Sequence, residues 1–287
     1  MNFPLLKWPE PKKPYRLGLA LSGGGAKGLA YVGVFKFLEE RGIRPDIIVG
    51  TSAGAMAAAL LADGHTSDEI RQMFVGRELS EFARVQVPTT GLFDSRGLGE
   101  FLKRNLRAKT FEELQIPTIV MATDLDRGCG HPFTSGPLVE AVRASCSIPI
   151  IFSPVIIDGV HYVDGGLFHN FPVSIIRDRC EMVIGVNVNP YTARKYSKNI
   201  YSIGERSYHF MFSANAVEDR RICDLLIETE EFGQYKIFDL KNIDHIARVG
   251  YATSVRAFNR LARTADKNNK LLRAFPPPKQ PAASRND

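Results

Sequence analysis

Short apolar runs, separated by helical patterns and glycine-rich turns, extend along most of the chain. Such runs are typical of strands buried in a parallel sheet, and the segments between them have the spacing of helices. The pattern predicts strands over 17–21, 47–49, 116–123, 182–188 and 224–228. It predicts helices over 30–40, 55–62, 98–106, 137–147 and 243–265, and a short helix that begins at Pro172. This order predicts an α/β fold, with a mostly parallel sheet and helices on both of its faces.

Capping and turn signals indicate where several of these elements begin. Thr66 and Glu69 fit a capping box that opens a helix through about residue 81. The same pattern recurs at Thr110 and Glu113. Two β runs on either side of an Asp-Gly pair predict a hairpin over 155–163.

Length and composition favour one large domain. The chain has 287 residues, of which 44% are hydrophobic, and this is enough for a substantial core. We expect an extended arm over 1–15, a catalytic domain over 16–265, and the end of the terminal helix with a disordered Pro-rich tail over 266–287. No apolar run could span a bilayer, and the Pro-containing start does not have the apolar centre of a secretory signal. A cytoplasmic protein is therefore expected, with peripheral contact at the inner face of the membrane as an option.

Charge and cysteine content exclude few functions. The net charge is +6, which permits contact with an anionic surface without requiring it. The four cysteines show neither C-x-x-C pairing nor the histidine spacing of a zinc site. We interpret them as reduced thiols and expect no metal.

Aromatic and basic residues alternate over 190–222. We interpret this segment first as a loop followed by a helix with one buried face. Contact with a membrane or lipid surface is the alternative interpretation. Nucleic acid is not expected as a partner, because no recognition motif accompanies the segment.

The strongest chemical signal is Gly50-Thr51-Ser52-Ala53-Gly54, between a predicted strand and a predicted helix. In a G-x-S-x-G turn the serine stands at the carboxyl end of the strand, and glycines flank it because side chains there would collide. The N-terminus of the next helix offers free N–H groups and a partial positive charge. Ser52 is therefore the candidate nucleophile, and Gly50 and Gly54 support its turn.

A second glycine turn, Gly23-Gly24-Gly25, follows the first predicted strand. Consecutive N–H groups without side chains suit an oxyanion, so Gly24 and Gly25, with Gly23 as a further member, are candidates for an oxyanion hole. Gly23, Gly25 and Gly28 also match the G-x-G-x-x-G of a nucleotide loop. The sequence has no acidic residue at the end of the second strand and no Gly-Lys-Ser/Thr, so we favour the oxyanion hole.

A serine hydroxyl needs a neighbouring group that accepts its proton. Among the histidines, only His169 and His209 are expected in late loops, and neither has a distinctive setting. Asp164 is the better candidate, because it ends a β run and is followed by Gly165 and Gly166. These glycines allow the backbone to bend sharply beside the carboxylate.

Asp124 is a rival for this role, since it also stands at the carboxyl end of a predicted strand. A carboxylate is a weak base at its reference pKa of about 3.9. Partial burial would have to raise that pKa for efficient proton transfer. We favour Asp164 on these grounds and leave Asp124 open.

Several motifs, in the same order, resemble the patatin-like phospholipases. They are GGGAKG at 23–28, GTSAG at 50–54, ATDL at 122–125, RASCSIP at 143–149 and DGGLFHNFPV at 164–173. The resemblance runs from about residue 16 to residue 260. It is greatest to the compact bacterial members of the family, and Lys27 stands where the family often carries Arg or Lys.

The resemblance implies a three-layer α/β/α sandwich, a Ser52–Asp164 dyad and an oxyanion hole in the glycine turn. It implies hydrolysis of fatty acyl esters of phospholipids or lysophospholipids, with no cofactor. An acyltransferase or thioesterase with the same dyad is one alternative, and a non-catalytic lipid-binding or regulatory protein is another. The sequence leaves the head group, the acyl length and the oligomeric state open.

Overall fold

The computed structural model describes residues 12–85, 90–191, 196–237, 240–266 and 269–276. Within these ranges the strands are β1 (Tyr15–Leu21), β2 (Ile47–Thr51), β3 (Arg84–Val85), β4 (Phe93–Asp94), β5 (Thr118–Asp124), β6 (Cys129–Phe133), β7 (Val155–Ile157), β8 (Val160–Asp164), β9 (Cys180–Asn187) and β10 (Leu225–Glu228). The α-helices are α1 (Ala30–Glu40), α2 (Ala53–Ala62), α3 (Ser67–Phe74), α4 (Leu79–Phe82), α5 (Arg96–Asn105), α6 (Leu138–Ser145), α7 (Gly166–His169), α8 (Ser174–Arg177), α9 (Ile200–Ala214), α10 (Val217–Arg221), α11 (Ile243–Thr264) and α12 (Lys270–Ala274).

The central sheet is mostly parallel. Strands β10, β9, β1, β2 and β5 are parallel neighbours in that order. Strands β6 and β8 pair with β5 in the antiparallel sense, and β7 pairs with β8. Strands β3 and β4 form a separate small pair. The predicted α/β class with a mostly parallel sheet is confirmed.

Two cores lie on opposite faces of this sheet, because successive side chains of a strand point to opposite sides. Leu19 and Ile48 belong to the larger core, to which α1, α2, α5, α6 and α11 contribute. Ala20 and Val49 belong to the smaller core, together with Ile176 of α8. The sheet with helices on both faces forms the expected three layers.

The helix predicted from Thr66 to about residue 81 is wrong in its length. Thr66 and Glu69 do form the capping box, and the Glu69 N–H donates to Thr66 Oγ1 at 3.2 Å. Helix α3 nevertheless ends at Phe74. Gly76 then takes a φ of 73°, a left-handed conformation that an α-helix cannot continue. The short helix α4 follows as a separate element.

The second predicted capping pattern forms only one 3₁₀ turn, Phe111–Glu113. Its Thr110 side chain makes no cap, and the Glu113 carboxylate accepts a hydrogen bond from the Lys109 N–H at 2.7 Å instead. Strand β6 was not predicted. Its sequence, CGHPF, does not alternate apolar and polar residues, and it pairs only with β5.

The hairpin predicted over 155–163 is confirmed by the pairing of β7 with β8. Asp158 and Gly159 both have positive φ, 51° and 80°, as the tight turn of such a hairpin requires.

The predicted arm and tail fall largely outside the described residues, which leave out 1–11 and 277–287. Strand β1 already begins at Tyr15, and α12 is a separate helix after α11. The domain limits therefore stay predictions. In the described ranges, no helix combines the length and hydropathy needed to cross a bilayer.

Candidate active site

Ser52 occupies a strained turn between β2 and α2. Its φ is 54° and its ψ is −123°, values that a non-glycine residue takes only when its surroundings enforce them. A side-chain carbon at Gly50 would collide with the backbone of Gly54, and one at Gly54 would collide with the Leu21 carbonyl. The flanking glycines of the motif are therefore required by close backbone packing.

Hydrogen bonds from distant residues hold this turn in place. The Ser52 N–H donates to Ser145 Oγ at 2.7 Å, and that hydroxyl donates to the Met121 carbonyl at 2.5 Å. The Thr51 hydroxyl donates to the His169 carbonyl at 2.6 Å. Sequence reasoning missed Ser145, although it lies in the RASCSIP stretch that carries part of the family resemblance.

Asp164 reaches the nucleophile turn through strand pairing. Strand β2 pairs with the first part of β5, and Thr51 lies opposite Met121. Strand β8 pairs with the end of β5, and Asp164 lies opposite Ala122. Because Met121 and Ala122 are consecutive, the last residue of β8 meets the last residue of β2. The structure thus brings Ser52 and Asp164 to one place.

Burial dominates the electrostatics of Asp164. The residue is 1% exposed, and burial raises the pKa of its carboxyl from 3.8 to about 6. The nearby Ser52 hydroxyl and the Gly166 N–H, which donates to Oδ1 at 2.7 Å, partly offset this rise in pKa. The other oxygen, Oδ2, accepts no hydrogen bond from any described residue. A carboxylate with these properties can accept a proton near neutral pH.

The glycine turn lies beside Ser52, but only part of it is free. The Gly23 N–H donates to the Asn170 carbonyl at 2.9 Å, so this donor is not available to an oxyanion. This corrects the inclusion of Gly23 as a donor. The Gly24 and Gly25 N–H groups donate to no described residue, and both glycines line the cavity at Ser52.

Lys27 and Gly28 have packing roles behind this turn. The buried Lys27 ammonium donates to Asn189 Oδ1 at 2.7 Å, which ties the turn to the end of β9. A side-chain carbon at Gly28 would lie 2.8 Å from that of Ala53. Gly165 is similarly confined, since a side chain there would collide with the Met121 carbonyl.

The rival bases lie elsewhere. Asp124 caps its own turn by accepting from the Arg127 N–H at 2.9 Å, and it pairs with the Arg127 side chain at 3.1 Å. Neither Asp124, His169 nor His209 lines a described cavity at Ser52.

Among the described residues, no group of three His, Cys, Asp or Glu side chains could hold a metal ion.

Two cavities meet at Ser52. The smaller is lined by Gly23, Gly24, Gly25, Ser52, Ile148, Asp164, Asn170, Asn189, Phe212 and Ile237. The larger extends between α2, α3, α4 and α5 and encloses about 970 Å³, including its opening to solvent. Its lining is almost wholly apolar, with Met56, Ala57, Leu60, Phe74, Phe82 and Leu98 among its members. Ser52 therefore lines both cavities, and the smaller one also includes Asp164 and Asn170 in its lining.

Comparisons with known proteins place the chain in a family. The profile of the patatin-like phospholipase family matches residues 19–176. The chain is 33% identical over 213 residues to the YqhO protein of Bacillus subtilis, a match that covers 62% of this chain and 73% of that protein. It is 31% identical over 181 residues to patatin-like phospholipase domain-containing protein 7 of Rattus norvegicus, covering 60% of this chain and 13% of that protein. The chain thus spans only a small part of this longer relative.

Among solved structures, the chain is similar to VipD from Legionella pneumophila. The TM-score is 0.49 at 15% sequence identity, with 86% of this chain and 67% of that chain covered. The family profile covers more than half of the chain and includes the serine turn and the DGG motif. Membership of this family supports lipid acyl hydrolase activity in general terms. The chain belongs to the patatin-like phospholipase family.

Proposed function

We propose that this protein hydrolyses fatty acyl esters of phospholipids or lysophospholipids through a Ser52–Asp164 dyad. The observation that carries the proposal is the meeting of two cavities at Ser52. One holds a buried carboxylate and free backbone N–H groups, and the other has an apolar lining.

In the first step the Ser52 hydroxyl oxygen attacks the ester carbonyl carbon, and Asp164 accepts the hydroxyl proton. The ester bond breaks, the leaving alcohol takes the proton from Asp164, and the acyl group stays on Ser52. In the second step water attacks the acyl-serine and releases the fatty acid. A pKa of about 6 for Asp164 supports this role, because the base is mostly ionised at neutral pH yet more basic than an exposed aspartate.

The negative charge on the carbonyl oxygen would be met by the N–H groups of Gly24 and Gly25. Both line the cavity that Ser52 and Asp164 share. Preorganised donors of this kind are worth about 3 kcal/mol each in acyl-transfer enzymes. The Lys27–Asn189 hydrogen bond and the Gly23–Asn170 hydrogen bond keep the turn in position.

The acyl chain would occupy the larger cavity. This cavity begins at Ser52, and its lining offers no charged side chain. A polar head group would find no compensation for its lost water there. The head group is therefore expected to stay outside, toward solvent or a lipid surface.

Peripheral contact with a membrane belongs to the same proposal, and α9 is the surface that we assign to it. The exposed residues of α9 with described side chains recur at helical spacing, and none of them is charged: Ile200, Ile203, Gly204, Ser207, Phe210, Met211 and Ala214. Ile200 is 91% exposed. Helices on the surface of soluble proteins normally turn charged and polar residues toward solvent and apolar residues toward the core.

The inner side of α9 covers the catalytic cavity. Phe212 lines that cavity, and the Tyr208 hydroxyl donates to the Pro149 carbonyl at 3.3 Å. Ile150, next to Pro149, is 72% exposed and has a φ of 73°, a strained conformation for a β-branched residue. The apolar outer side of α9 and Ile150 thus surround the region through which a lipid would enter.

We propose that this surface binds an anionic phospholipid bilayer. Lys198 is exposed just before α9, and the Arg206 guanidinium lies over the Phe210 ring at 4.7 Å. Apolar residues flanked by cations are the combination that favours interfacial binding to anionic lipids. The net charge of +6 acts in the same direction.

A lipid panel with mass-spectrometric detection of released fatty acids tests the proposed activity. We expect Ser52→Ala and Asp164→Asn each to lower the rate more than about 1000-fold while the protein stays folded. Asp124→Asn is the matched control, because it changes a buried aspartate away from the cavity. Activity that survives in Ser52→Ala, or is lost in Asp124→Asn but kept in Asp164→Asn, would contradict the assigned dyad.

Two further assays on the wild-type protein test the alternative functions, a non-catalytic lipid-binding protein and an acyltransferase. A fluorophosphonate probe should label wild-type Ser52, whereas a lipid-binding protein with an idle dyad would not react. Addition of an alcohol or a lysolipid as acceptor distinguishes hydrolysis from acyl transfer, because a transferase would form a new ester in place of free fatty acid.

A further inference from the structure

Asn170 carries an unpartnered amide inside the catalytic cavity. The residue follows α7, is 1% exposed and lines the cavity with Ser52 and Asp164. Its Nδ2 group donates no hydrogen bond to any described residue. Leaving a buried donor unsatisfied is unfavourable, because the group has lost its hydrogen bonds to water. The amide is therefore expected to have a partner during the reaction.

Asp164 lines the same cavity and carries a complementary group. Asp164 Oδ2 is a buried acceptor that receives no hydrogen bond from the described part of the chain. The two side chains converge near Gly166, where a side-chain carbon would lie 3.0 Å from Asp164 Oδ1 and 3.1 Å from Asn170 Oδ1. One cavity thus holds an unpaired donor and an unpaired acceptor.

The size of the cavity limits what can join them. It offers about 20 Å³ to the centre of a water molecule, and one water needs about 10–15 Å³ on this measure, together with polar partners. Both conditions are met for a single water beside Ser52.

We propose that Asn170 Nδ2 and Asp164 Oδ2 hold the water that cleaves the acyl-serine. This inference rests on the proposed function. The Asn170 amide donates to the water oxygen, and the water donates one hydrogen to Asp164 Oδ2. As the oxygen attacks the acyl carbon, Asp164 takes that proton. The bond to Ser52 Oγ then breaks, Oγ recovers the proton from Asp164, and the fatty acid leaves.

The backbone of Asn170 has separate duties, so a side-chain variant is informative. Its carbonyl accepts from the Gly23 N–H at 2.9 Å, and its N–H donates to Asn215 Oδ1 at 3.0 Å. Asn215 also donates to the Gly166 carbonyl at 2.8 Å. These backbone contacts remain available in Asn170→Ala, whereas the donor in the cavity is lost.

Stopped-flow kinetics with a p-nitrophenyl ester separate the two steps. For Asn170→Ala we expect acylation, read from the first release of p-nitrophenol, to stay within about twofold of wild type. We expect deacylation to slow on the order of 100-fold, as is usual when a reacting group loses its orientation. Acyl-Ser52 should then accumulate and be visible by intact-protein mass spectrometry. Hydroxylamine, a nucleophile that needs no activation by the dyad, should restore most of the turnover.

Two further variants keep the test decisive. Asn170→Ser retains a shorter donor and should recover part of the deacylation rate. Asn215→Ala loosens the same segment without touching the cavity, and it should change both steps alike. Equal slowing of both steps in Asn170→Ala, or no slowing of either, would overturn this inference alone. A wild-type protein that forms no acyl-Ser52 would overturn the proposed function, and this inference with it.

Discussion

Thr51 and Asp164 pair with consecutive residues of β5, Met121 and Ala122. This register brings the end of β2 against the end of β8, and Ser52 follows directly on β2. The relative position of the proposed nucleophile and base is therefore set by backbone hydrogen bonds in the centre of the sheet. Such an arrangement is rigid, as a catalytic pair requires.

The pH dependence of activity should report the proposed base. Asp164 must be ionised to accept the serine proton, and burial raises its pKa to about 6. We expect kcat/KM for a soluble ester to rise from about pH 4, with an apparent pKa near 6, to a plateau at about pH 7–8. Steady-state rates across this range, corrected for non-enzymatic hydrolysis, check the prediction. A profile that is flat between about pH 5 and pH 7 would argue against Asp164 as the base.

The stability of Asp164→Asn should depend on pH in a defined direction. The carboxyl pKa is about 6 in the folded protein and near 3.8 when solvated, so the folded state holds its proton more tightly. The free energy of unfolding of the wild type therefore falls as pH rises from about 4 to about 6. The fall reflects the cost of ionising a buried carboxyl. Asp164→Asn has no ionisable group at this position, so at pH 7 its free energy of unfolding should exceed that of the wild type by up to roughly 3 kcal/mol.

Urea unfolding at two pH values measures this difference. At about pH 3 the two proteins should have nearly equal stability, because the wild-type carboxyl is then mostly protonated in both states. Asp124→Asn is the control, since it loses the ion pair with Arg127 and should not be stabilised. A stability difference for Asp164→Asn that does not change with pH would show that desolvation of this carboxylate is unimportant.

Filling the apolar cavity should shorten the preferred acyl chain. Ala57 lies on α2, lines the larger cavity and is 7% exposed. We expect Ala57→Leu to lower kcat/KM for a palmitoyl ester about tenfold, with little effect on a butyryl ester. Met56→Leu conserves volume at the neighbouring position and serves as the control. A parallel loss on both esters would indicate disturbance of the nucleophile turn instead of a shorter acyl site.

Charge on the outer side of α9 should weaken membrane binding without harming the chemistry. Ile203 and Met211 are 51% and 49% exposed, so Asp at either position costs little folding stability. We expect the double variant to bind phosphatidylglycerol vesicles at least about tenfold more weakly in sedimentation, since a charge in the interface opposes insertion. Hydrolysis of a soluble ester should be unchanged.

Ile156→Asp is the matched control for that experiment, because Ile156 is exposed on β7 and not on α9. It should leave vesicle binding intact. Equal binding by the α9 variant and the wild type would exclude this helix as the docking surface. If the α9 variant still binds vesicles but no longer binds a protein partner, the surface belongs to that partner. If it loses only self-association, the surface belongs to a second copy of the chain.

Much of the local structure could be predicted from the sequence because it depends on neighbouring residues. The buried strands, the helix over Ala30–Glu40 and the hairpin turn follow from hydrophobic spacing and turn chemistry. The predicted helix after Thr66 was too long, because Val75 already has an extended backbone and Gly76 a left-handed one, and neither continues the helix. Strand β6 was missed because pairing with β5, and not its own composition, makes it a strand.

In the candidate site, the difference between what the sequence predicts and what only the fold determines is clearer still. The sequence by itself determined the chemical types: a serine on a G-x-S-x-G turn, a glycine turn with bare N–H groups, and two aspartates at strand ends. Only the tertiary structure decided which aspartate lies beside Ser52, which glycine N–H is already engaged by Asn170, and that α9 exposes an apolar face. Turn and helix preferences act over a few residues, whereas strand register, burial and exposure are set by contacts between distant segments, and those contacts exist only in the folded chain.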